Sequence, residues 1–277
     1  MTLNLRTTVR PVVRMTGIAA ERVEDWIAVE RPLEIRLQER PLAVTLRTPG
    51  SDRDLALGFL ASECVIRRGD QVTATRELLA PCVDEPDAIE VELAPGVTFD
   101  WSKLERHFTA TAACGLCGRA HLDSLRAGLT PIPAGRTIDP DQLGALPARV
   151  REAQVAFTAT GGLHAAVYCD SNLEVQVVRE DVGRHNAVDK ACGWLIETGN
   201  YPAGSGILWV SGRAGAEIVL KAARARIPVL AAVGAPSSLA IELAEAAKMT
   251  LIGFLREGRM NVYSGMERMR MAPGRVT

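Results

Sequence analysis

Two cysteines three positions apart, in Thr111-Ala112-Ala113-Cys114-Gly115-Leu116-Cys117-Gly118-Arg119, form the most reactive pair in this sequence. The segment that follows reads as helix, so partly positive backbone N–H groups and the Arg119 guanidinium would favour thiolate over thiol. Thiolate is both nucleophile and metal ligand, so the spacing suits redox exchange, zinc binding or sulfur carriage. A zinc site needs four ligands, or three and a water. His107 and His121 are near enough in sequence to join the pair, but a second cysteine pair is lacking. The His-x-Glu that zinc nucleoside deaminases combine with Pro-Cys-x-x-Cys does not occur either. A thioredoxin-type pair belongs at the end of an early buried strand, whereas this one follows a small, polar loop at 108–118. Accessible thiols on a mobile loop fit reversible sulfur carriage, with no metal.

Three further groups of polar residues could form a binding site. Strand Ile207-Leu208-Trp209-Val210 ends in Ser211-Gly212-Arg213-Ala214-Gly215 before a helix, and Val233-Gly234-Ala235-Pro236-Ser237-Ser238 repeats the arrangement. Such turns aim backbone N–H groups past the carboxyl end of a strand, the usual geometry for phosphate, and two side by side suit a nucleotide. Tight turns with ordinary helix caps account for the same letters. Phe254-Leu255-Arg256-Glu257-Gly258-Arg259 leaves another strand with two arginines around a glycine, as phosphate donors or as a solvated hairpin turn. In Arg179 to Lys190, Asp181, Arg184, His185, Asn186, Asp189 and Lys190 could face one cleft. They would offer carboxylates to a guanine edge, with His185 as ligand contact or proton donor. His164 begins a strand and reads equally as a core histidine or a site residue.

These groups need a scaffold, and 277 residues, 47% hydrophobic, suffice for a large core in one or two lobes. Lys plus Arg (32) balances Asp plus Glu (33), so global charge gives no argument for nucleic acid or membrane. Lysine occurs only at 103, 190, 221 and 248, and the dominant arginine suits bidentate contacts to phosphate. No apolar run serves as a signal peptide or membrane span, which points to the cytoplasm and to reduced cysteines. Cys64, Cys169 and Cys192 sit among apolar neighbours and read as packing residues.

The chain divides into a β-rich N-terminal lobe (1–110), a mobile CxxC loop with a short helix and linker (111–140), and an α/β cofactor-binding lobe (141–277), one compact unit overall. Leu33 to Leu37 and Leu42 to Leu46 alternate apolar and polar across a short connection and predict a hairpin. Ser51 caps a helix through Val65 with acidic residues in its first turn, and a strand follows at Ala88 to Leu93. Gly128 to Pro140, with three Pro and two Gly, reads as the linker. Beyond it, helix Asp141 to Glu152 leads to strands Leu163 to Cys169 and Glu174 to Arg179 and helix Arg184 to Glu197. Strand Gly206 to Val210, helix Ala214 to Arg226, strand Pro228 to Val233, helix Ser237 to Lys248, strand Thr250 to Phe254 and strand Met260 to Tyr263 complete the pattern. The alternation implies a mostly parallel sheet covered by helices, with an antiparallel pair at 163–179.

The ordered set Ala113-Cys114-Gly115-Leu116-Cys117-Gly118, Thr158 to Ala166, Arg179 to Lys190, Ser211-Gly212-Arg213 and Gly253-Phe254 to Tyr263 resembles the FdhD family, the formate dehydrogenase accessory sulfurtransferases. The resemblance runs from about Glu34 to Tyr263. It implies a cytoplasmic sulfur carrier, usually a homodimer, with a cytidine deaminase-like α/β fold: a mixed sheet covered by helices. The carrier takes sulfur from a cysteine desulfurase as a persulfide. It passes the sulfur to the bis-molybdopterin guanine dinucleotide form of the molybdenum cofactor, before that cofactor enters formate dehydrogenase. A guanine nucleotide such as GDP would occupy the same site. Cys114 matches the persulfide-bearing cysteine, with Cys117 its partner, and Phe254, Leu255, Arg256, Glu257, Gly258 and Arg259 match the cofactor-binding segment. Leu255-Arg256-Glu257 departs from the more basic or Pro-containing turn expected there. Assignments of Ser211, Gly212, Arg213, Asp181 and His185 to the cofactor rest on loop geometry and chemistry. Two alternatives stay open: a molybdenum-cofactor chaperone whose CxxC is structural or metal-binding, and a dithiol oxidoreductase with a Cys114–Cys117 disulfide.

Overall fold

The computed structural model describes residues 5–80, 85–99, 101 and 128–271; Cys114, Cys117 and the loop around them lie outside the described residues. The N-terminal part opens with β1 (Thr7–Thr16) and β2 (Ala19–Ala28), an antiparallel ribbon. Neither face of it is buried: Val9, Val13, Met15, Ile18 and Trp26 are all exposed. Next come β3 (Arg31–Leu37), β4 (Arg40–Arg47), α1 (Asp52–Ser62), β5 (Val72–Leu78) and β6 (Asp87–Leu93). They form a four-stranded sheet in the order β4-β3-β6-β5, in which β3–β4 is the expected hairpin. Leu33, Ile35 and Leu37 turn inward at every second position to meet Leu55, Leu57 and Leu60 of α1.

The C-terminal part runs α2 (Pro140–Ala153), α3 (Val155–Thr160), β7 (His164–Cys169), β8 (Val175–Asp181), α4 (Arg184–Glu197), β9 (Ile207–Val210) and α5 (Ala216–Arg224). It ends with β10 (Val229–Ala232), α6 (Ser238–Ala246), β11 (Thr250–Arg256) and β12 (Arg259–Ser264). The sheet order is β12-β11-β10-β9-β7-β8. Its central strands are buried on both faces, which explains their unbroken apolar runs. Leu208, Leu230 and Leu251 pack with α4, α5 and α6, whereas Trp209, Ala231 and Ile252 pack with Leu143, Leu146 and Val150 of α2.

The α/β class is as expected, but the sheet is not mostly parallel. Only β9, β10 and β11 pair in parallel; β7 is antiparallel to both neighbours, β8 and β9, and β12 is antiparallel to β11. Ser51 lies in the left-handed region (φ 57) and caps α1 with no side-chain bond, and α1 stops at Ser62, short of Val65. The acidic residues of the first turn serve ion pairs instead: Asp52 holds Arg47 at 2.7 Å and Asp54 holds Arg179 at 2.6 Å. Residues 128–140 are pinned rather than a free linker. Ile132 is 1% exposed, its N–H donates to the Ala247 carbonyl, and Arg268 donates to the Ile132 and Pro133 carbonyls. Cys169 and Cys192 are buried as expected, and burial pushes each thiol up to about 12. Cys64 is the correction: it is exposed, in a left-handed conformation where α1 ends.

The two parts join where α1 crosses α4. A Cβ on Gly58 would overlap the Asp189 carbonyl, and one on Gly193 would overlap the Asp54 carbonyl, so the two backbones touch through paired glycines. Beside the crossing, Asp189 accepts from Ser62 Oγ at 2.7 Å and from Lys221 Nζ at 2.8 Å. Burial works against the Lys221 charge, but the Asp189 carboxylate outweighs it and holds the ammonium above its ordinary value. Among the described residues, no helix is long and apolar enough to cross a membrane.

Candidate functional site

One edge of the six-stranded sheet collects most of the polar groups singled out from sequence. There β9, β10 and β11 reach their carboxyl ends, β8 ends at Asp181 and the antiparallel β7 begins at His164, paired in register with Asp181. The turn after β9 is stitched to β7: Ser211 N–H donates to the Ala165 carbonyl at 3.0 Å, and Ala165 N–H donates to Ser211 Oγ at 2.9 Å. Ser211 Oγ also lies 3.4 Å from His164 Nδ1. Gly212 fits between His164 and Arg184, since a Cβ there would lie 3.6 Å from His164 Nδ1 and 3.7 Å from Arg184 Cδ.

The two βα turns do not offer equivalent amides. The turn after β10 is bonded to the turn after β9: Gly234 N–H donates to the Gly212 carbonyl, Ala214 N–H to Ala235, and Ser237 N–H to Ala214. Ser237 Oγ then accepts from Ala240 N–H and caps α6. By contrast, α4 opens after Gly183 and α5 opens after Gly215, neither with a side-chain cap. Their first-turn N–H groups therefore face the edge without a capping oxygen. Arg184 and Arg213 stand exposed beside these two starts, and neither has an ion-pair partner among the described residues. The uncapped starts of α4 and α5 thus form a mouth bordered by Arg184, while the stem of Arg213 lies against Gly234 on the α6 side.

Both histidines border this mouth. His164 is held below its ordinary pKa by burial, then by Arg184, against an opposing pull from Asp181. His185 Nε2 lies 3.2 Å from Glu217 Oε2. Burial lowers His185 as well, Glu217 opposes it, and Arg184, Lys221 and His164 add to the lowering. Both are neutral hydrogen-bonding groups near pH 7. Glu217 joins the site unannounced by the sequence pattern, although an acidic residue two positions after Ser211-Gly212-Arg213-Ala214-Gly215, in the first turn of α5, is a readable signal.

Asp181 does not face the mouth. It is 0% exposed, and its Oδ2 takes Lys190 Nζ at 2.7 Å and the Thr48 N–H at 3.2 Å. Its Oδ1 takes the Gly183 N–H at 2.8 Å and Asn186 Nδ2 at 3.1 Å, so no lone pair is left for a guanine edge. Asp189 and Lys190 turn toward α1 and β4 for the same reason, as clamps between the two sheets. Asn186 bridges to the Leu46 carbonyl and to Thr45.

The segment from Phe254 to Arg259 is split. Phe254, with φ 53, donates its N–H to the Gly234 carbonyl beside the mouth. The Leu255 side chain is 0% exposed and packs with the α2 face of the sheet, which leaves it no ligand surface. Arg256, Glu257, Gly258 and Arg259 form the exposed β11–β12 turn. That turn overhangs the start of α2 across a groove of about 500 Å³ lined by Asp141, Gly144, Glu257, Gly258, Arg259 and Met260.

A sheet edge with an uncapped, arginine-flanked pair of helix starts is a geometry suited to an anion, set in a mixed α/β fold. The model of the FdhD/NarQ family matches residues 28–270, and the chain belongs to that family. It is 48% identical to the sulfur carrier protein FdhD of Nocardia farcinica and 45% identical to that of Streptomyces avermitilis, each over 95% of both chains. A crystal structure assigned to a formate dehydrogenase accessory protein of Desulfotalea psychrophila shares the fold. Its TM-score is 0.75 at 23% identity, over 96% of this chain and all of that one.

Proposed function

We propose that this protein is a cytoplasmic sulfurtransferase for formate dehydrogenase, carrying sulfur on Cys114 from a cysteine desulfurase to the bis-molybdopterin guanine dinucleotide cofactor. The observation that carries the reading is the α4/α5 mouth, in a chain whose relatives are named sulfur carriers. Two uncapped helix starts, Arg184 and Arg213 provide donors for a pyrophosphate, and Ser211, Gly212, His164 and His185 surround it. The cofactor, here the substrate, carries two such pyrophosphates and two guanines, so a homodimer would present one mouth to each. GDP would bind the same mouth. Arg256 and Arg259 on the β11–β12 turn would extend the contact, with Leu255 acting through its backbone. The α/β core would be a cytidine deaminase-like scaffold without the deaminase zinc motif.

In the transfer, the Cys114 thiolate attacks the terminal sulfur of the desulfurase persulfide. That S–S bond breaks, the donor cysteine leaves as thiolate, and Cys114 holds the persulfide. Cys117 then attacks the inner sulfur. The terminal sulfur departs as sulfide to the molybdenum, and the Cys114–Cys117 disulfide left behind is reduced by a cellular dithiol before the next cycle.

Intact-protein mass spectrometry after incubation with a desulfurase and cysteine tests this directly. The expected result is a gain of one sulfur that reductant removes and Cys114→Ala abolishes. No gain on wild type, with the desulfurase itself loaded, would replace the carrier with a cofactor chaperone.

A further inference from the structure

Glu217 is the second residue of α5, and its side chain is 52% exposed at the mouth between the two uncapped helix starts. An acidic residue in a first helical turn is an ordinary complement to the helix dipole. Its surroundings here are not ordinary. Glu217 is held by a neutral histidine, His185, while the exposed guanidiniums of Arg184 and Arg213 make no ion pair with it. Its carboxylate therefore stands beside the position an incoming phosphate would take, with neither arginine paired to it.

We infer that Glu217 determines specificity by selecting phosphate groups that carry one negative charge per phosphorus, the internal diesters of a dinucleotide-type pyrophosphate, against terminal phosphate monoesters. A terminal phosphate carries about 1.5 to 2 negative charges near neutral pH, and the extra charge would sit against the carboxylate. The internal diester lacks that charge and meets the arginines without the same repulsion. The inference rests on the reading that this mouth holds the phosphates of a guanine dinucleotide. It gives that site a means of preferring the dinucleotide to free GDP, which shares the guanine and the ribose but ends in a monoester.

The test is calorimetric titration of the full chain with two probes, GDP and a diguanosine in which two guanosines are joined 5′ to 5′ through a pyrophosphate. Wild type is expected to bind the diguanosine more tightly. Glu217→Gln keeps the size and the reach to His185, and is expected to shift the affinity ratio toward GDP by about five- to tenfold, the weight of one nearby charge in a half-exposed site. Glu217→Asp, which keeps the charge, is expected to retain the wild-type ratio. Both probes binding with a ratio unmoved by Glu217→Gln would overturn the inference and leave the phosphate site standing. Neither probe binding wild type would overturn the site and the inference together.

Discussion

The first turn of α4 and the turn that follows it carry charge under opposite conditions. On one, Arg184 and His185 border the mouth at the sheet edge, and Arg184 has no carboxylate partner among the described residues. On the other, Asp189 and Lys190 are 2% and 1% exposed and are met by Ser62, Lys221, Asp181 and the Thr48 carbonyl. His185 and Asp189 stand four positions apart on one side of the helix, where they meet Glu217 and Lys221 of α5, so one turn is enough to pass from one environment to the other. A buried charge must be matched, and then it holds structure together. A charge left unmatched at a helix start remains available to a ligand.

Breaking the matched turn has the largest expected effect. Lys190→Met leaves Asp181 buried without its cation and should cost about 3–5 kcal/mol in urea unfolding. Adding Asp181→Asn should recover part of that loss. On the open first turn, Arg184→Ala should weaken GDP binding about tenfold by titration while leaving the unfolding midpoint in place, as expected for loss of one charge-assisted donor. A stability loss as large as that of Lys190→Met would erase the distinction between the two turns. Ser237→Ala sharpens it from outside, because α6 caps itself and lies apart from the mouth. It should cost about 1 kcal/mol of stability with no change in GDP affinity.

The smallest effect is the pH response of the mouth. His164 and His185 titrate below their ordinary value in the folded protein. The unfolded chain therefore takes up protons first as pH falls through about 6.5, and their contribution to stability is full above that pH and lost below it. Unfolding curves at pH 7.5 and 5.5 should diverge in wild type and draw together in a His164→Gln, His185→Gln double variant. An unchanged gap would place the acid sensitivity elsewhere.

Much of this organisation is legible in the sequence. Helix 184–197 has the bounds its pattern predicts, because Gly183 stops the preceding strand and apolar residues recur along one face. Hairpin β3–β4 is equally plain, because one face is buried and the alternation follows. Ribbon β1–β2 escaped notice because it buries neither face and so has no alternation to read. Strand direction is silent in an apolar run, which hid the antiparallel placement of β7. The same limit applies to the site. Residue type marks Asp181 as polar but does not say that four donors surround it. Nor does Ser237 reveal that the second turn spends its amides on the first.

The paired glycines at the α1–α4 crossing also limit movement. With carbonyl oxygens seated directly over Gly58 and Gly193, rotation of one sheet against the other would drive a peptide oxygen into an α-carbon. The crossing works as a rivet rather than a hinge. The start of α4 therefore keeps its place against the N-terminal sheet, and any adjustment there falls to the exposed side chains and turns around it rather than to a closing of the two sheets.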